Sequence, residues 1–296
     1  MQQRFLDPAV LATLSGLDLV AKTVVDGFVN GLHRSPDFGF SQEFAEYRMY
    51  TPGDDLRHVD WNVFARSERM YLKRYRGETN TLLTILLDAS ASMTYKSKTV
   101  TKLDYAKFLA ASLIYMANHQ QRDAAGIVVF DDEVRQYVKP SARQGQLHRV
   151  LHAINHAESG KRTDYEKPYF HVAQFLQRRG IVVLISDFWQ DPELIVKTVA
   201  PLRWKGNELV LFHVLDPGEI RPALDGPALL VDMETDETLE VTPDYAKREY
   251  PAKIDAHIAA MRSAAKGAGM DYMTLPTDRP LDEALREYLT VRVGRN

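Results

Sequence analysis

Thr81-Leu82-Leu83-Thr84-Ile85-Leu86-Leu87-Asp88-Ala89-Ser90-Ala91-Ser92-Met93 is the stretch on which the fold turns. Thr81–Leu87 is short and almost wholly apolar, with no polar alternation. That pattern predicts a strand covered on both faces, as in a parallel sheet, where neither side meets water. Asp88 ends the run, and two hydroxyls follow at spacings of two and four.

Downstream the rhythm repeats. Leu103, Ala106, Leu109, Leu113 and Met116 mark a helix, Ala124–Phe130 a second buried strand, and Val134–Val138 a hairpin partner after Asp131-Asp132. Leu147, Val150, Leu151 and Ile154 predict a helix, and Val172, Phe175 and Leu176 another, ended by Gly180. Ile181–Ser186 is a further apolar strand, Leu194–Leu202 a helix and Glu208–Leu215 a strand. Ala228–Met233 and Thr238–Val241 flank a polar turn and predict an excursion hairpin within about 216–242. A helix broken at Pro251, a strand over Met270–Leu275 and a helix over Leu281–Leu289 close the chain. Strands alternating with amphipathic helices imply a doubly wound, mostly parallel α/β sheet of Rossmann type over residues 81–296.

Residues 1–80 differ. Asp7 caps and Pro8 opens a helix whose stripe is Val10, Leu14, Leu17, Ala21, Val24 and Phe28, ended by Gly31 and Pro36. Phe38 to Tyr50 lead into Thr51-Pro52-Gly53-Asp54-Asp55, where the aspartates are placed to cap a short helix containing Leu56, Val59 and Val63. Arg69–Tyr75 reads as a strand. The expectation is an N-terminal helix and a small β-containing appendage, the latter joined by 216–242.

The chain has 296 residues, 45% apolar and 26% charged, with no cysteine. Disulfides, Cys-ligated zinc, iron–sulfur clusters and thiol catalysis are excluded. Lys plus Arg, 37, against Asp plus Glu, 40, leaves −3, which lends nothing to a general nucleic-acid binder. Asp18, Lys22 and Asp26 interrupt the apolar stretch Val10–Leu32, so it falls short of the roughly 20 apolar residues of a bilayer span. The expectation is a cytoplasmic protein.

In a doubly wound sheet, ligands bind beyond the carboxyl ends of strands at a topological switch. Asp88, Ser90 and Ser92 follow one strand, Asp187 follows another, and Thr163 stands in a loop between. Such an all-oxygen set suits Mg²⁺ or Mn²⁺. Asp-x-Ser-x-Ser alone is equally a turn former. Its place after a buried strand, with Asp187 after another and Thr163 in the loop between, strengthens the metal reading.

The set Asp88, Ser90, Ser92, Thr163 and Asp187 resembles the metal-ion-dependent adhesion site of von Willebrand factor A domains. Glu43-Phe44, the run Arg48-Met49-Tyr50-Thr51-Pro52-Gly53-Asp54-Asp55-Leu56-Arg57-His58-Val59-Asp60-Trp61, Ala65-Arg66, Asp216-Pro217-x-Glu219 and Tyr250 together resemble the bacterial domain-of-unknown-function 58 family, which carries a von Willebrand A-like domain. The resemblance implies a non-enzymatic, metal-assisted protein-interaction module linked to MoxR-type AAA+ ATPases. It also implies that the five oxygen residues form the metal set, open to an acidic side chain of the ATPase or its client. Lys161 and Arg162, just before Thr163, would steer such a partner. Residues 48–66 read first as structure, with Arg57–Asp60 a helical pair. An exposed Trp61 would shift that stretch towards a partner surface.

The rival readings are enzymes. Ser90 or Ser92, Asp187 and His213 follow the chain order of α/β-hydrolases, but the Gly-x-Ser-x-Gly elbow is missing. A nucleophilic Asp88 lacks a neighbouring acid at position 90, and a Mg-dependent hydrolase using Asp88 and Asp187 lacks an evident base. His148, His152 and His156 recur along one helix and read as a solvated polar edge before a zinc site.

Overall fold

A computed structural model describes residues 6–32, 44–51, 59–67, 69–75, 82–120, 123–160, 168, 179–204, 206–234 and 237–286. Asp7 accepts a hydrogen bond from the Ala9 N–H at 2.8 Å and starts α1 (Pro8–Leu11). The single helix expected from residue 8 onward is two. Gly16 adopts φ +100°, a left-handed backbone open to glycine at no steric cost, and α2 (Leu17–Leu32) starts afresh after it. The expected stripe holds only after the break: Ala21, Val24 and Phe28 are buried, whereas before it Val10 is 38% exposed and Leu11 is buried in its place.

The chain divides into two compact units, Val29–Asn80 and the rest. In the smaller unit β1 (Phe44–Met49) runs antiparallel to β2 (Tyr71–Tyr75). The helix between them, α3 (Trp61–Ser67), starts later than the Asp54-Asp55 pair suggests. Asp60 is its cap, accepting from the Val63 N–H at 3.3 Å. Val59, expected inside the helix, forms a β-bridge with Leu72 instead. The nearest carboxylate to the first helical turn wins, and the bridge holds Val59 extended. Leu56 and Arg57 lie outside the described residues.

The larger unit carries β3 (Leu82–Asp88), α4 (Lys102–Tyr115), β4 (Ala124–Phe130), β5 (Val134–Ser141), α5 (Gln146–Asn155), β6 (Ile181–Ser186), α6 (Pro192–Trp204), β7 (Glu208–Leu215), α7 (Pro217–Ile220), β8 (Ala228–Val231), β9 (Thr238–Val241), α8 (Tyr250–Gly267) and β10 (Asp271–Pro276). One sheet has the order β10-β7-β6-β3-β4-β5. All its pairs are parallel except β4 with β5. This is the doubly wound Rossmann order, first strand in the middle. It is the doubly wound, mostly parallel α/β fold that the sequence implies.

Ile85, Leu86, Leu87, Val183, Leu184 and Ile185 have no exposed surface, which is why their segments carry no alternation. β8 and β9 form a separate two-stranded sheet. A π-helical turn (Tyr245–Glu249) precedes α8, and Pro251 occupies the first turn of α8. The break expected at Pro251 is therefore a change of winding just before it, where the missing N–H has no partner to lose. The helix expected around Val172–Leu176 falls on residues outside those described. No helix among the described residues is long and apolar enough to cross a membrane.

The chain leaves β3 for β4 on one side and later returns to β6 on the other. The switch point therefore lies between the carboxyl ends of β3 and β6, where Asp88 and Asp187 sit.

Candidate metal centre

The chain leaves β3 under restraint. The Ala89 N–H still donates to the Phe130 carbonyl at 2.8 Å, so the backbone stays in register with β4 one residue past the strand. The Ser90 N–H then turns back to Asp88 Oδ1 at 2.9 Å, a side chain standing in for a backbone turn. A 3-10 turn, Ala91–Thr94, follows. The tight winding brings the two serine hydroxyls together, Oγ to Oγ 3.1 Å.

Asp88 has no exposed surface. Its other oxygen accepts from Ser186 Oγ at 2.6 Å, and Ser186 Oγ accepts from the Phe188 N–H at 3.1 Å. Both of these donors to its carboxylate are neutral. Burial, and then the charge of Asp187, push the Asp88 carboxyl up to about 7, against hydrogen bonds from Ser186 and Ser90 that pull it down. The repulsion places the two carboxylates within electrostatic reach of each other.

Asp187 is in a different state. It is 1% exposed and accepts from Lys102 Nζ at 2.7 Å. The same ammonium, wholly buried, donates to Glu219 Oε1 at 2.5 Å. Burial pulls Lys102 down, but Asp187 and Glu219 outweigh it and hold it above its ordinary value. Glu219 also closes a capping box at the start of α7: its Oε2 accepts from the Asp216 N–H at 2.9 Å. Asp216 in turn accepts from the Gly218 N–H at 2.7 Å and the Ser97 N–H at 3.0 Å. A single buried lysine thus links the end of β6 to the start of α7.

Of the five expected ligands, Asp88, Ser90 and Ser92 are side by side and Asp187 is at the neighbouring strand end. Thr163 lies outside the described residues, as do Lys161 and Arg162. The described chain before them ends at Gly160, whose N–H donates to the Ala89 carbonyl at 2.7 Å. A Cβ at Gly160 would meet Asp131 Oδ2, so glycine is what permits this approach. Trp61 belongs to the smaller unit and is 54% exposed, with its ring edge-on to Phe64.

The donor set fits a small hard cation in two respects. Oxygens on adjacent corners of an octahedron with bonds of about 2.1 Å stand about 3.0 Å apart, close to the hydroxyl separation of 3.1 Å. Asp88 is a buried carboxylate beside a second negative charge, which a nearby cation would relieve. Among the described residues no group of three or more His, Asp or Glu side chains is arranged around one point, so the hydroxyls are essential to the set. Asp187, with Lys102 on one oxygen, is the member least free to serve as a ligand.

Lys102, Glu219 and Ser186 are the site residues that sequence reasoning missed. Glu219 stands in the quoted Asp216-Pro217-x-Glu219 motif, which was a usable signal. Ser186 ends an apolar strand one residue before Asp187. Lys102, in the first turn of a helix, looks in sequence like any solvated lysine.

Of the residues in the hydrolase reading, Ser90 and His213 are hydrogen-bonded to other groups. Ser90 Oγ meets Ser92 Oγ, while His213 Nδ1 meets the Tyr272 hydroxyl at 2.6 Å. Burial above all holds His213 down at about 3, a weak base. On α5 the His152 and His156 rings stack at 4.1 Å.

Residues 46–260 match the family described as "Protein of unknown function DUF58". The chain belongs to the DUF58 family. This DUF58 chain is 28% identical over 284 residues to uncharacterized protein Rv1480 of Mycobacterium tuberculosis (strain H37Rv), covering 92% of this chain and 86% of that protein. It is 32% identical over 139 residues to uncharacterized protein MAV169 of Mycobacterium avium, covering 45% of this chain and 78% of that protein. A solved structure similar to it is the conserved hypothetical protein BatB from Bacteroides thetaiotaomicron, with TM-score 0.46 and 14% identity over 72% of this chain and 99% of that one. Another is a von Willebrand factor type A protein from Catenulispora acidiphila, with TM-score 0.43 and 13% identity over 70% of this chain and 41% of that one.

Proposed function

We propose that this DUF58 protein is a metal-dependent protein-interaction module rather than an enzyme. Asp88, Ser90, Ser92, Thr163 and Asp187 would hold Mg²⁺ (or Mn²⁺), and the partner would be a MoxR-type AAA+ ATPase or its client, met in the cytoplasm. The observation that carries the reading is Asp88: wholly buried at the topological switch, hydrogen-bonded to neutral groups, and beside two hydroxyls at octahedral spacing.

Bound there, the divalent ion supplies a coordination position open to an outside carboxylate oxygen. The chain's own residues do the rest. Asp88 contributes charge, and Ser90 and Ser92 contribute oxygens on a tightly wound turn. Lys102 anchors Asp187 and keeps its negative charge from adding fully to that of Asp88. Lys161 and Arg162 bring positive charge just before Thr163, suited to an acidic partner. Trp61 offers an exposed aromatic anchor in the smaller unit. One metal–carboxylate bond offsets little of the association entropy, so metal and surrounding surface act together.

The test is a pull-down of a purified MoxR-type ATPase with the full chain, in Mg²⁺ and in chelator, alongside calorimetric titration of Mg²⁺ alone. The expected result is capture in Mg²⁺, loss in chelator, and loss with Asp88→Ala, whose circular dichroism stays that of the parent. Capture indifferent to chelator and to Asp88→Ala would overturn the metal's role.

A further inference from the structure

The sheet ends on β5, which pairs with β4 alone among the described residues. Its outer edge adjoins a groove of about 880 Å³ between β5 and α5. From Val134 to Ala157 the chain has four Lys or Arg, three His and no Asp or Glu. One of the four, Arg135, is already neutralised by Asp131, Asp132 and Glu133. The others, Lys139, Arg143 and Arg149, line the groove, are exposed, and have no ion pair among the described residues. Val138 gives the groove an apolar wall, while Tyr137, its neighbour along the strand, packs on the core on the other face of the sheet.

The opposite pattern occurs in the excursion after β7. From Pro222 to Asp244 there are seven Asp or Glu and no Lys, Arg or His. The β8–β9 hairpin in that stretch leaves Leu229 61%, Val231 54% and Leu239 56% exposed. Its two strands pair only with each other among the described residues, so each keeps an open edge. An open edge bearing apolar side chains is a template for another strand.

Groove and hairpin belong to opposite ends of the sheet. The hairpin hangs from β7 and leads into α8, which packs on β10. β7 stands four strand spacings from β5, about 19 Å at about 4.8 Å each. Within one copy, among the described residues, neither β8 nor β9 packs on β5 or α5, which leaves both surfaces available to a second copy.

We propose that the β5–α5 groove receives the acidic β8–β9 hairpin of a second copy of this chain, head to tail. The hairpin edge pairs along β5 before Pro140, which lacks an N–H and stops the ladder. Lys139, Arg143 and Arg149 face the hairpin's carboxylates, and Val138 covers its leucines. The two surfaces differ, so the contact propagates into chains or closes into rings. This assembly is independent of the metal site.

Sedimentation velocity of the full chain tests it. The expected result is a weight-average mass that rises with protein concentration and falls with added salt, because exposed charges are screened. Arg143→Glu with Arg149→Glu, or Asp225→Lys with Glu240→Lys, each weakens association by about tenfold or more. Mixing the two variants restores it, since each reversed surface meets its complement, and the chain carrying all four changes associates again. A chain monomeric at every concentration overturns the proposal. So does association indifferent to both reversals, or a monomer whose groove instead takes a single-stranded oligonucleotide.

Discussion

The ends of β3 and β6 make a natural comparison. Adjacent parallel strands of similar composition each deliver an aspartate to the same switch point, and both are buried. Asp187 is answered by a buried ammonium, whereas Asp88 accepts from an amide and a hydroxyl. Equal burial thus yields one locked ion pair and one carboxylate raised towards neutral pH. A buried charge takes whatever compensation is within reach, and the difference marks where an external cation has most to offer.

The largest break comes from Lys102→Met. It leaves Asp187 and Glu219 buried without their cation and should cost about 3–5 kcal/mol, lowering the melting temperature by about 10 °C. A calorimetric loss of a degree or two would show that the two strand ends are not so different after all.

Next is the pH response of Asp88. In the unfolded chain its value is the ordinary 3.8; in the fold it is about 7. The folded state binds the extra proton between those limits. The stability from this group is therefore full below 3.8 and is lost as pH rises to about 7. Asp88→Asn in chelator should flatten that slope and leave the variant at least as stable as the parent at pH 8, a difference on the order of a few kcal/mol. Denaturant melts from pH 4 to 8 read it, and parallel curves for parent and variant would refute it.

Metal should then act on one end only. At pH 8, Mg²⁺ at about a hundred times its dissociation constant should stabilise the parent by about 2.7 kcal/mol, and Asp88→Asn by nothing. If Mg²⁺ raises both melting temperatures equally, Asp88 is not its ligand.

Ser186→Ala is the finest probe. It removes the 2.6 Å hydroxyl donor from Asp88 and leaves the Lys102–Asp187 pair in place. The expected cost is about 1–2 kcal/mol, with the Asp88 titration moved further up. Carboxylate resonances followed by NMR through the titration show whether Asp88 moves while Lys102 stays bound to Asp187.

Legibility followed how local the determining interaction is. The runs Leu82–Leu87 and Ile181–Ser186 announced strands of a parallel sheet, because burial on both faces removes alternation from the residues themselves. Asp88, Ser90 and Ser92 stood out because a four-residue turn gathers them without help from elsewhere. The break at Gly16 hid inside a helical spacing of apolar residues that the sequence carries across it, although the buried face changes there from Val10 to Leu11. Asp60 hid behind the more conspicuous Asp54-Asp55.

By itself the sequence determined the alternation of buried strands with helices, the position of the oxygen-bearing turn after the first of them, and the separation of a basic stretch at 134–157 from an acidic one at 222–244. Those are properties of neighbours along the chain, set by periodicity and composition. Only the tertiary structure decided that Lys102, 85 residues from Asp187 and 117 from Glu219, would bind both, and that Asp88 would accept from an amide and a hydroxyl instead. A charge in low dielectric is governed by what surrounds it in space, and chain order does not carry that information.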